Sequence, residues 1–314
     1  MLISPIWKRE EAMNKKKWFI ISFLAPAVIC FLVVFLYPCI RTLLMSFYNV
    51  EFITDDMNQW SFAGIENFRK LFSSPVFLRS MQNVLVIWLV EGAVILILAM
   101  LFSVIITSGV KGKNFWRALL YLPCVISAVA LVNMWLQYVY NNQYGLFKKL
   151  FTWLGWQSMA EYQWLSPENM FLSMMIAFAF GSIGFYVLIY VAGIDGIPKD
   201  YYEAATIEGA GAVKQFFTIT LPLLKDIIKR SIVLYSAGAL GFFVYSSLFS
   251  TTTQMATVTP IVYMYDNVFG SSVSTSSSQL NVGGGAAVGV IVTGCVLIIN
   301  IVLDKVIKTE DSGA

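Results

Sequence analysis

The sequence of 314 residues contains no histidine, and charged residues make up only 12% of it. Without histidine the chain lacks the side chain that most often acts as a general acid or base, and with it the commonest zinc ligand. Soluble domains carry about 25% charged residues because their surfaces face water. With 58% hydrophobic residues and a mean hydropathy of +0.72, this chain therefore belongs to the membrane class.

Two chemical motifs are also missing. The four cysteines are scattered without a Cys-x-x-Cys pair, so we expect small apolar packing residues and neither a metal site nor a disulfide framework. The phosphate-binding pattern Gly-x-x-x-x-Gly-Lys-Ser/Thr is absent, because the nearest string, Gly112-Lys113-Asn114, lacks the upstream glycine and the hydroxyl residue. We therefore expect no catalytic residue, no metal and no cofactor on this chain.

Six apolar stretches are long enough to cross a bilayer, which takes about 20 residues of helix. The first follows three lysines and resembles a signal peptide, but its apolar run continues to Ile40, which predicts an uncleaved spanning helix. Met13 is an alternative start of the chain, with residues 1–12 as an extension. The predicted spans are 18–40, 83–107, 118–140, 170–194, 232–249 and 284–303.

The lysines and arginines of the loops indicate the orientation, because cytoplasmic loops carry an excess of both. With the N-terminus inside, the inner segments hold fifteen of the 21 Lys and Arg residues and the outer segments hold six. We therefore predict an all-α membrane protein of six transmembrane helices with both termini in the cytoplasm. It consists of a cytoplasmic tail at 1–17, a six-helix domain at 18–303 and a second cytoplasmic tail at 304–314.

Three loops are then outside. The first contains an aromatic-rich turn at 62–68 that predicts a short interfacial helix. The second carries Trp153, Trp156 and Trp164, whose rings suit the membrane–water boundary. The third, at 250–283, is rich in Ser and Thr, and it is either a mobile lid over an outer opening or a solvated connector.

The cytoplasmic loop between the fourth and fifth predicted spans, residues 197–222, is called the elbow. Asp200 is predicted to cap its first helix, with Glu203 three residues later completing a capping box. Gly209 and Gly211 permit the left-handed backbone that ends such a helix. The pattern predicts two short helices joined by a glycine turn.

Seven elbow positions carry a fixed pattern: Glu-Ala-Ala, three residues, Gly, nine residues and Ile-x-Leu-Pro. In this pattern the chain resembles the maltose-type sugar permeases of ATP-binding-cassette (ABC) importers. It departs from them at Glu208, where Asp is usual, and at 250–254, where Gly-Gly-Pro is frequent. The matching residues are Glu203, Ala204, Ala205, Gly209, Ile219, Leu221 and Pro222.

The resemblance implies a type I ABC importer permease whose elbow is a coupling helix seated on a separate ATPase subunit. Glu203 would pair with a basic ATPase residue, although it can also serve only as a cap, and the two alanines after it would allow close backbone approach. Ile219 and Leu221 would supply apolar docking surface. The implied partners are a second homologous permease, two ATPase subunits that bind ATP and Mg, an extracellular solute-binding protein, a sugar and the lipid bilayer, and no nucleic acid.

The membrane-embedded charges bear on the substrate. No Lys or Arg lies in the middle of a predicted span, which favours an uncharged substrate unless the partner permease supplies a cation. Glu91 is the one acid deep within a span, and either a hydrogen bond to a neighbouring helix or a gating role is open to it. Asp195 lies at the inner end of the fourth span.

The resemblance also suggests a substrate pathway through the third, fourth and fifth spans. Several maltose-contacting polar positions are replaced here, so that the identity of the sugar does not carry over, and ordinary helix packing is an alternative role for each candidate. The candidates are Gln137, Tyr138, Ser182, Phe185, Tyr235 and Phe242.

Two other functions are alternatives to a sugar importer. One is a permease of the same superfamily for another solute, such as glycerol phosphate or a short peptide. The other is a membrane-embedded enzyme acting on lipids or polyprenyl sugars. Such an enzyme needs convergent acids or histidines near the interface, which this sequence does not offer.

Overall fold

The computed structural model describes residues 6–249, 255–270 and 280–306. Five of its helical segments are long and apolar enough to cross a bilayer, and a bent pair of helices makes a sixth if it forms one span. We number these segments span 1 to span 6 in chain order. The end of the bundle that carries the elbow is called the inner side.

Span 1 is a long helix with a π-helical turn in its middle. It begins well before the predicted start at Trp18 and passes through Pro26 without ending. No part of its apolar window is buried against the rest of the chain. Its last residue, Met45, packs on the first turns of span 6. The segments of span 1 are Ile6–Cys30, Phe31–Leu36 and Tyr37–Met45.

A small structured loop follows span 1 on the outer side. The strands Tyr48–Asn49 and Ser61–Phe62 pair antiparallel, with a 3-10 turn, Met57–Gln59, between them. Helix Glu66–Ser73 confirms the short helix predicted in this loop. The buried amide of Asn67 donates to two carbonyl oxygens of the turn after span 1 and so fixes the helix to it.

Span 2 starts eight residues before the predicted position. Pro75 occupies its first turn and the Ser74 hydroxyl accepts from the Phe77 N–H, so that proline and cap together set the start. At about 1.5 Å per residue, its 33 residues exceed the thickness of the hydrocarbon layer, and the helix therefore extends beyond it or tilts. Its segments are Pro75–Val86, the π-helical Ile87–Glu91 and Gly92–Thr107.

Span 3 is not one continuous helix over the predicted 118–140, because it breaks into two halves that are bent by 96°. The first half ends soon after Pro123, which has no N–H to continue the helical ladder. Ile126 and Ser127 then take extended backbone conformations before the second half begins. The segments are Lys113–Val125, Ala128–Met134 and the π-helical Trp135–Val139.

Spans 4, 5 and 6 complete the bundle. Spans 4 and 6 lie within three residues of their predicted bounds, whereas span 5 begins seven residues early and is interrupted after Leu240. The segments are Met170–Asp195 for span 4, Lys225–Leu240 and Val244–Phe249 for span 5, and Val282–Val306 for span 6, with outer helices Leu146–Trp153, Gln157–Ala160 and Pro260–Phe269.

The main core lies between spans 2, 3, 4 and 5 and ends in an aromatic cluster on the outer side. Trp164 belongs to this cluster: it is 8% exposed and stacks on Tyr140 with ring centroids 5.6 Å apart. Trp164 therefore packs inside the protein, whereas Trp153 and Trp156 are exposed, and the place of these rings at the membrane boundary stays a prediction. Gly184 allows the closest helix contact, because a Cβ there would collide with the Leu120 carbonyl of span 3.

The outer loop after span 5 is only partly described, since residues 250–254 and 271–279 lie outside the described ranges. Its segment 255–259 is packed into the bundle. Asn83 of span 2 directs its amide at three carbonyl oxygens of this segment, and the buried Thr259 hydroxyl donates to the Phe242 carbonyl at 2.6 Å. This part of the loop is therefore not a solvated connector.

Candidate functional site

The elbow begins where span 4 ends at Asp195. Its first helix, Lys199–Ile207, follows the N-cap residue Pro198, and no side chain caps it. Asp200 lies inside the first turn, where its charge favours the helix dipole without forming a cap. The predicted capping box of Asp200 and Glu203 is therefore wrong, because the helix starts two residues earlier than that pattern requires.

A glycine turn ends this helix, as predicted, but through one glycine. Gly209 has φ +79°, its N–H donates to the Thr206 carbonyl at 3.0 Å, and the Ala210 N–H donates to the Ala205 carbonyl at 2.8 Å. These two bonds form a Schellman motif, which requires the left-handed residue that glycine supplies. Gly211 has an extended backbone, and its predicted left-handed role is wrong.

The second part of the elbow leads back to the bundle. It consists of helix Ala212–Gln215, a π-helical turn Phe216–Thr220 and a short helix Leu221–Leu223 with Pro222 in its first turn. Leu221 lines a cavity of about 400 Å³ with apolar side chains of spans 2 and 5, so it faces the bundle at least in part.

Glu203 and Ala204 are exposed on the first helix, and Ala205 is half-buried behind them. The Glu203 carboxylate has no hydrogen bond or ion pair with any residue that the structure describes. Three large apolar side chains of the elbow are also exposed, and none of them is among the residues predicted from the sequence. The sequence feature that could have identified them is the presence of large apolar residues within an otherwise polar cytoplasmic loop. They are Ile207 at 88%, Val213 at 73% and Phe217 at 60% exposure.

Two side-chain bridges join the two parts of the elbow, and neither is predicted from the sequence. The Tyr202 hydroxyl lies 2.9 Å from the Thr220 hydroxyl, between residues eighteen positions apart. The Gln215 amide donates to the Thr206 hydroxyl at 3.0 Å and to the Ala210 carbonyl at 2.9 Å. The elbow is therefore a folded unit with its own polar contacts.

An ion pair and a cavity lie where the elbow leaves the bundle. Asp195 accepts from Arg117 of span 3 at 2.8 Å, so an ion pair holds the inner ends of spans 3 and 4 together. A cavity of about 300 Å³ lies between the elbow and the inner ends of spans 2 and 4, and Lys199, Tyr202 and Gln215 contribute to its lining.

The six candidate pathway residues fall into two groups. Gln137, Tyr138 and Phe185 are exposed on spans 3 and 4, and Ser182 of span 4 is half-buried. Tyr235 and Phe242 are buried within the bundle: the Tyr235 hydroxyl donates to the Ile87 carbonyl at 2.8 Å, and the Phe242 ring lies 4.8 Å from that of Phe178. The role of all six residues in a substrate pathway stays a prediction.

Glu91 is buried at the end of the π-helical turn in span 2, with 2% of its surface exposed. Both carboxylate oxygens lack a hydrogen-bond partner among the described residues, so the suggested bond to a neighbouring helix is not observed there. Nor do three or more Cys, Asp or Glu side chains converge on a metal-binding arrangement anywhere in the described ranges.

Comparison with known families agrees with this architecture. The family described as the binding-protein-dependent transport system inner membrane component matches residues 71–309. The chain belongs to this family, and it is a multi-pass protein of the cell's inner membrane. The resemblance to ABC sugar importer permeases seen in the elbow is thereby confirmed.

Several relatives are permeases of named uptake systems. The diacetylchitobiose permease protein NgcF of Streptomyces coelicolor is 29% identical over 248 residues, covering 76% of this chain and 69% of the relative. The trehalose/maltose permease protein MalF of Thermococcus litoralis is 30% identical, covering 69% and 72%. The arabinooligosaccharide permease protein AraP of Halalkalibacterium halodurans is 26% identical, covering 88% and 84%.

The fold also matches solved structures. A chain in the crystal structure of a bacterial ABC transporter that imports the acidic polysaccharide alginate superposes with a TM-score of 0.78 at 21% identity. The match covers 95% of this chain and 98% of that one. At this identity the likeness shows the fold, which is that of an ABC importer permease.

Proposed function

We propose that this chain is one permease subunit of an ATP-driven carbohydrate importer. It works with a second homologous permease, two ATPase subunits that bind ATP and Mg, and an extracellular solute-binding protein. The observation that carries the proposal is the exposed elbow: an unpartnered Glu203 beside exposed apolar side chains on a prefolded unit. Buried or interfacial charges need partners, and a basic groove on an ATPase subunit supplies one.

The substrate we propose is an uncharged oligosaccharide. The named relatives serve diacetylchitobiose, arabinooligosaccharides, and trehalose or maltose. The middle of every span lacks Lys and Arg, and an anionic substrate is normally matched by such a cation within the membrane. Gln137, Tyr138, Ser182 and Phe185 remain the proposed contacts, since their surfaces are not fully used within this chain.

Uptake by the reconstituted complex tests the substrate class. Proteoliposomes holding both permeases and the ATPase subunits are given the solute-binding protein and a panel of diacetylchitobiose, maltose, arabinotriose, glycerol 3-phosphate and a tripeptide. We expect one of the neutral saccharides to stimulate ATP hydrolysis and to accumulate inside. Accumulation of glycerol phosphate or of the peptide instead would replace the carbohydrate proposal.

Glu203→Ala tests the elbow as the docking site. We expect near-normal expression, because the carboxylate has no partner within the described chain, and at least about a tenfold loss of solute-stimulated ATP hydrolysis, because an interface charge on the ATPase is left unpaired. ATP hydrolysis is measured in the complete complex with and without loaded binding protein.

Glu168→Ala is the matched control, since Glu168 is also exposed but lies on the outer side of the bundle. It should leave stimulation intact. If Glu203→Ala keeps full stimulation in an assembled complex, Glu203 does not couple this chain to an ATPase.

A further inference from the structure

The turn at the tip of the elbow is built like a hinge. Gly209 and Gly211 flank Ala210 within three residues, and both glycines are exposed. Glycine gives the backbone the widest conformational freedom. The Schellman bonds fix Gly209 and Ala210 to the first helix, and the Gln215 N–H donates to the Gly211 carbonyl at 3.0 Å in the second part, so the backbone bonds of the two parts meet in this turn and do not cross it. Without side-chain contacts between them, the two parts of the elbow would change their relative angle when a force acts on the first helix.

The two side-chain bridges cross this hinge. Tyr202 comes from the first helix, and Thr220, which is only 5% exposed, comes from the π-helical turn, so their bond joins the two parts of the elbow where both residues line the cavity behind it. The Gln215 amide reaches back to Thr206 and to the Ala210 carbonyl in the hinge itself. Each bridge therefore ties a residue before the hinge, or within it, to one after it.

The cavity behind the elbow explains why the two bridges matter for the transmission of force. About 300 Å³ of space separates the elbow from the inner ends of spans 2 and 4. A push on the exposed face around Glu203 and Ile207 would fold an unlocked elbow into that space before any helix moved. Close-packed contacts transmit displacement, whereas a void provides no opposing atoms.

We infer that Tyr202 and Gln215 are positioning residues, which lock the two halves of the elbow into one rigid lever so that ATP-driven motion reaches the spans and is not absorbed at the glycine turn. The inference rests on the proposed function, because it concerns how force enters through the same elbow. It adds residues outside the Glu-Ala-Ala…Gly…Ile-x-Leu-Pro pattern to the transmission of that force.

The test removes hydroxyl groups without changing shape. Tyr202→Phe and Thr220→Val are made singly and together in the complete complex, and import of the saccharide taken up by the wild type is measured per ATP hydrolysed. We expect each single change to lower import per ATP about threefold to tenfold, as for loss of one hydrogen bond. The double variant should lose no more than the more affected single variant, because both act through one bond.

Further readouts separate a locked lever from general damage. The KM for ATP should be unchanged, and Thr220→Ser, which keeps the hydroxyl, should restore the wild-type ratio. Tyr201→Phe is the control, since Tyr201 is exposed and has no partner among the described residues. Gln215→Met removes the second bridge independently and should lower the ratio even if a Tyr202 variant fails to assemble.

The outcomes are distinguishable. If wild-type complex couples ATP hydrolysis to saccharide import and all bridge variants keep its ratio, or if the losses of the two single variants add in the double variant, the lever inference is overturned while the proposed function stands. If no saccharide stimulates ATP hydrolysis by the wild-type complex, both the proposed function and the lever inference are overturned.

Discussion

Glu91 is an acidic residue buried inside the bundle, and its burial costs free energy. A carboxyl group that is 2% exposed and has no partner among the described residues gives up the solvation it had in water without replacement. It is the last residue of the π-helical turn of span 2, and the neighbouring Gly92 lies directly against the Tyr235 ring of span 5. Ionisable residues of this kind inside membrane spans are kept for function more often than for stability.

Glu91→Leu should therefore separate stability from transport. We expect the thermal stability of the purified complex to rise, by about 1–3 kcal/mol of unfolding free energy, because an unsatisfied buried polar group is replaced by an apolar one. We expect saccharide uptake to fall several-fold. Thermal unfolding in detergent and uptake in proteoliposomes are measured on the same preparations.

Glu161→Leu, an exposed change on the outer side, controls for the added leucine. Glu91→Gln, which keeps the polar shape, should retain most uptake. A drop in stability on Glu91→Leu would show that the carboxyl group has a stabilising partner in the assembled complex, and unchanged uptake would remove the functional role.

At the residue scale, the sequence indicates positions better than contacts. Gly209 was predicted to end its helix and does so, because positive φ is a local property of the backbone. Asp200 was misplaced as a cap, since cap identity depends on the residue at which the helix starts. The bond between Tyr202 and Thr220 joins residues eighteen positions apart, and no local pattern of either residue announces it.

Among the elements, the outer segment 255–259 is held by one side chain of another span. The Asn83 amide lies 3.3, 3.1 and 2.9 Å from the carbonyl oxygens of Met255, Ala256 and Val258. Asn83 is 3% exposed, so water does not compete for these bonds. This contact links span 2 to the segment that follows span 5.

Asn83→Leu should loosen that segment. Without the amide, its buried carbonyl groups lose their donor, which costs about 1–3 kcal/mol. We expect amide hydrogen exchange within 255–259 to accelerate at least about fivefold, because local opening becomes easier. Hydrogen exchange with mass spectrometry on the purified complex measures this.

Asn133→Leu is the comparison, since the Asn133 amide is exposed and donates to Val129 within its own helix. It should leave exchange at 255–259 unchanged. Equal protection of this segment in Asn83→Leu and wild type would mean that packing alone holds it.

Predicted elements succeeded where the apolar run is continuous and failed where the backbone turns inside it. Spans 4 and 6 were placed within three residues. Span 3 was predicted as one helix, although Pro123 marks the place where its first half ends. A hydropathy profile averages the apolar character of consecutive residues and therefore does not show a 96° bend between two apolar helices.

For the whole molecule, the bend in span 3 decides the number of crossings. If its two halves form one span, the chain crosses six times, the loop 141–169 is outside and the elbow is inside. If the halves form a re-entrant loop, the chain crosses five times and the two sides are exchanged after span 3. The distribution of fifteen inner and six outer basic residues supports six crossings.

Single-cysteine labelling should give the six-crossing result. In a variant whose four native cysteines are replaced, Val213→Cys in the elbow and Trp153→Cys in the outer helix both lie at exposed positions. We expect a membrane-impermeant maleimide added to intact cells to label Trp153→Cys and to label Val213→Cys only after the cells are opened. Val110→Cys, in the exposed turn before span 3, is the reference for the inner side. Labelling of Val213→Cys in intact cells would place the elbow outside, where no ATPase subunit can reach it. ATP-driven motion could then not enter the chain through the elbow.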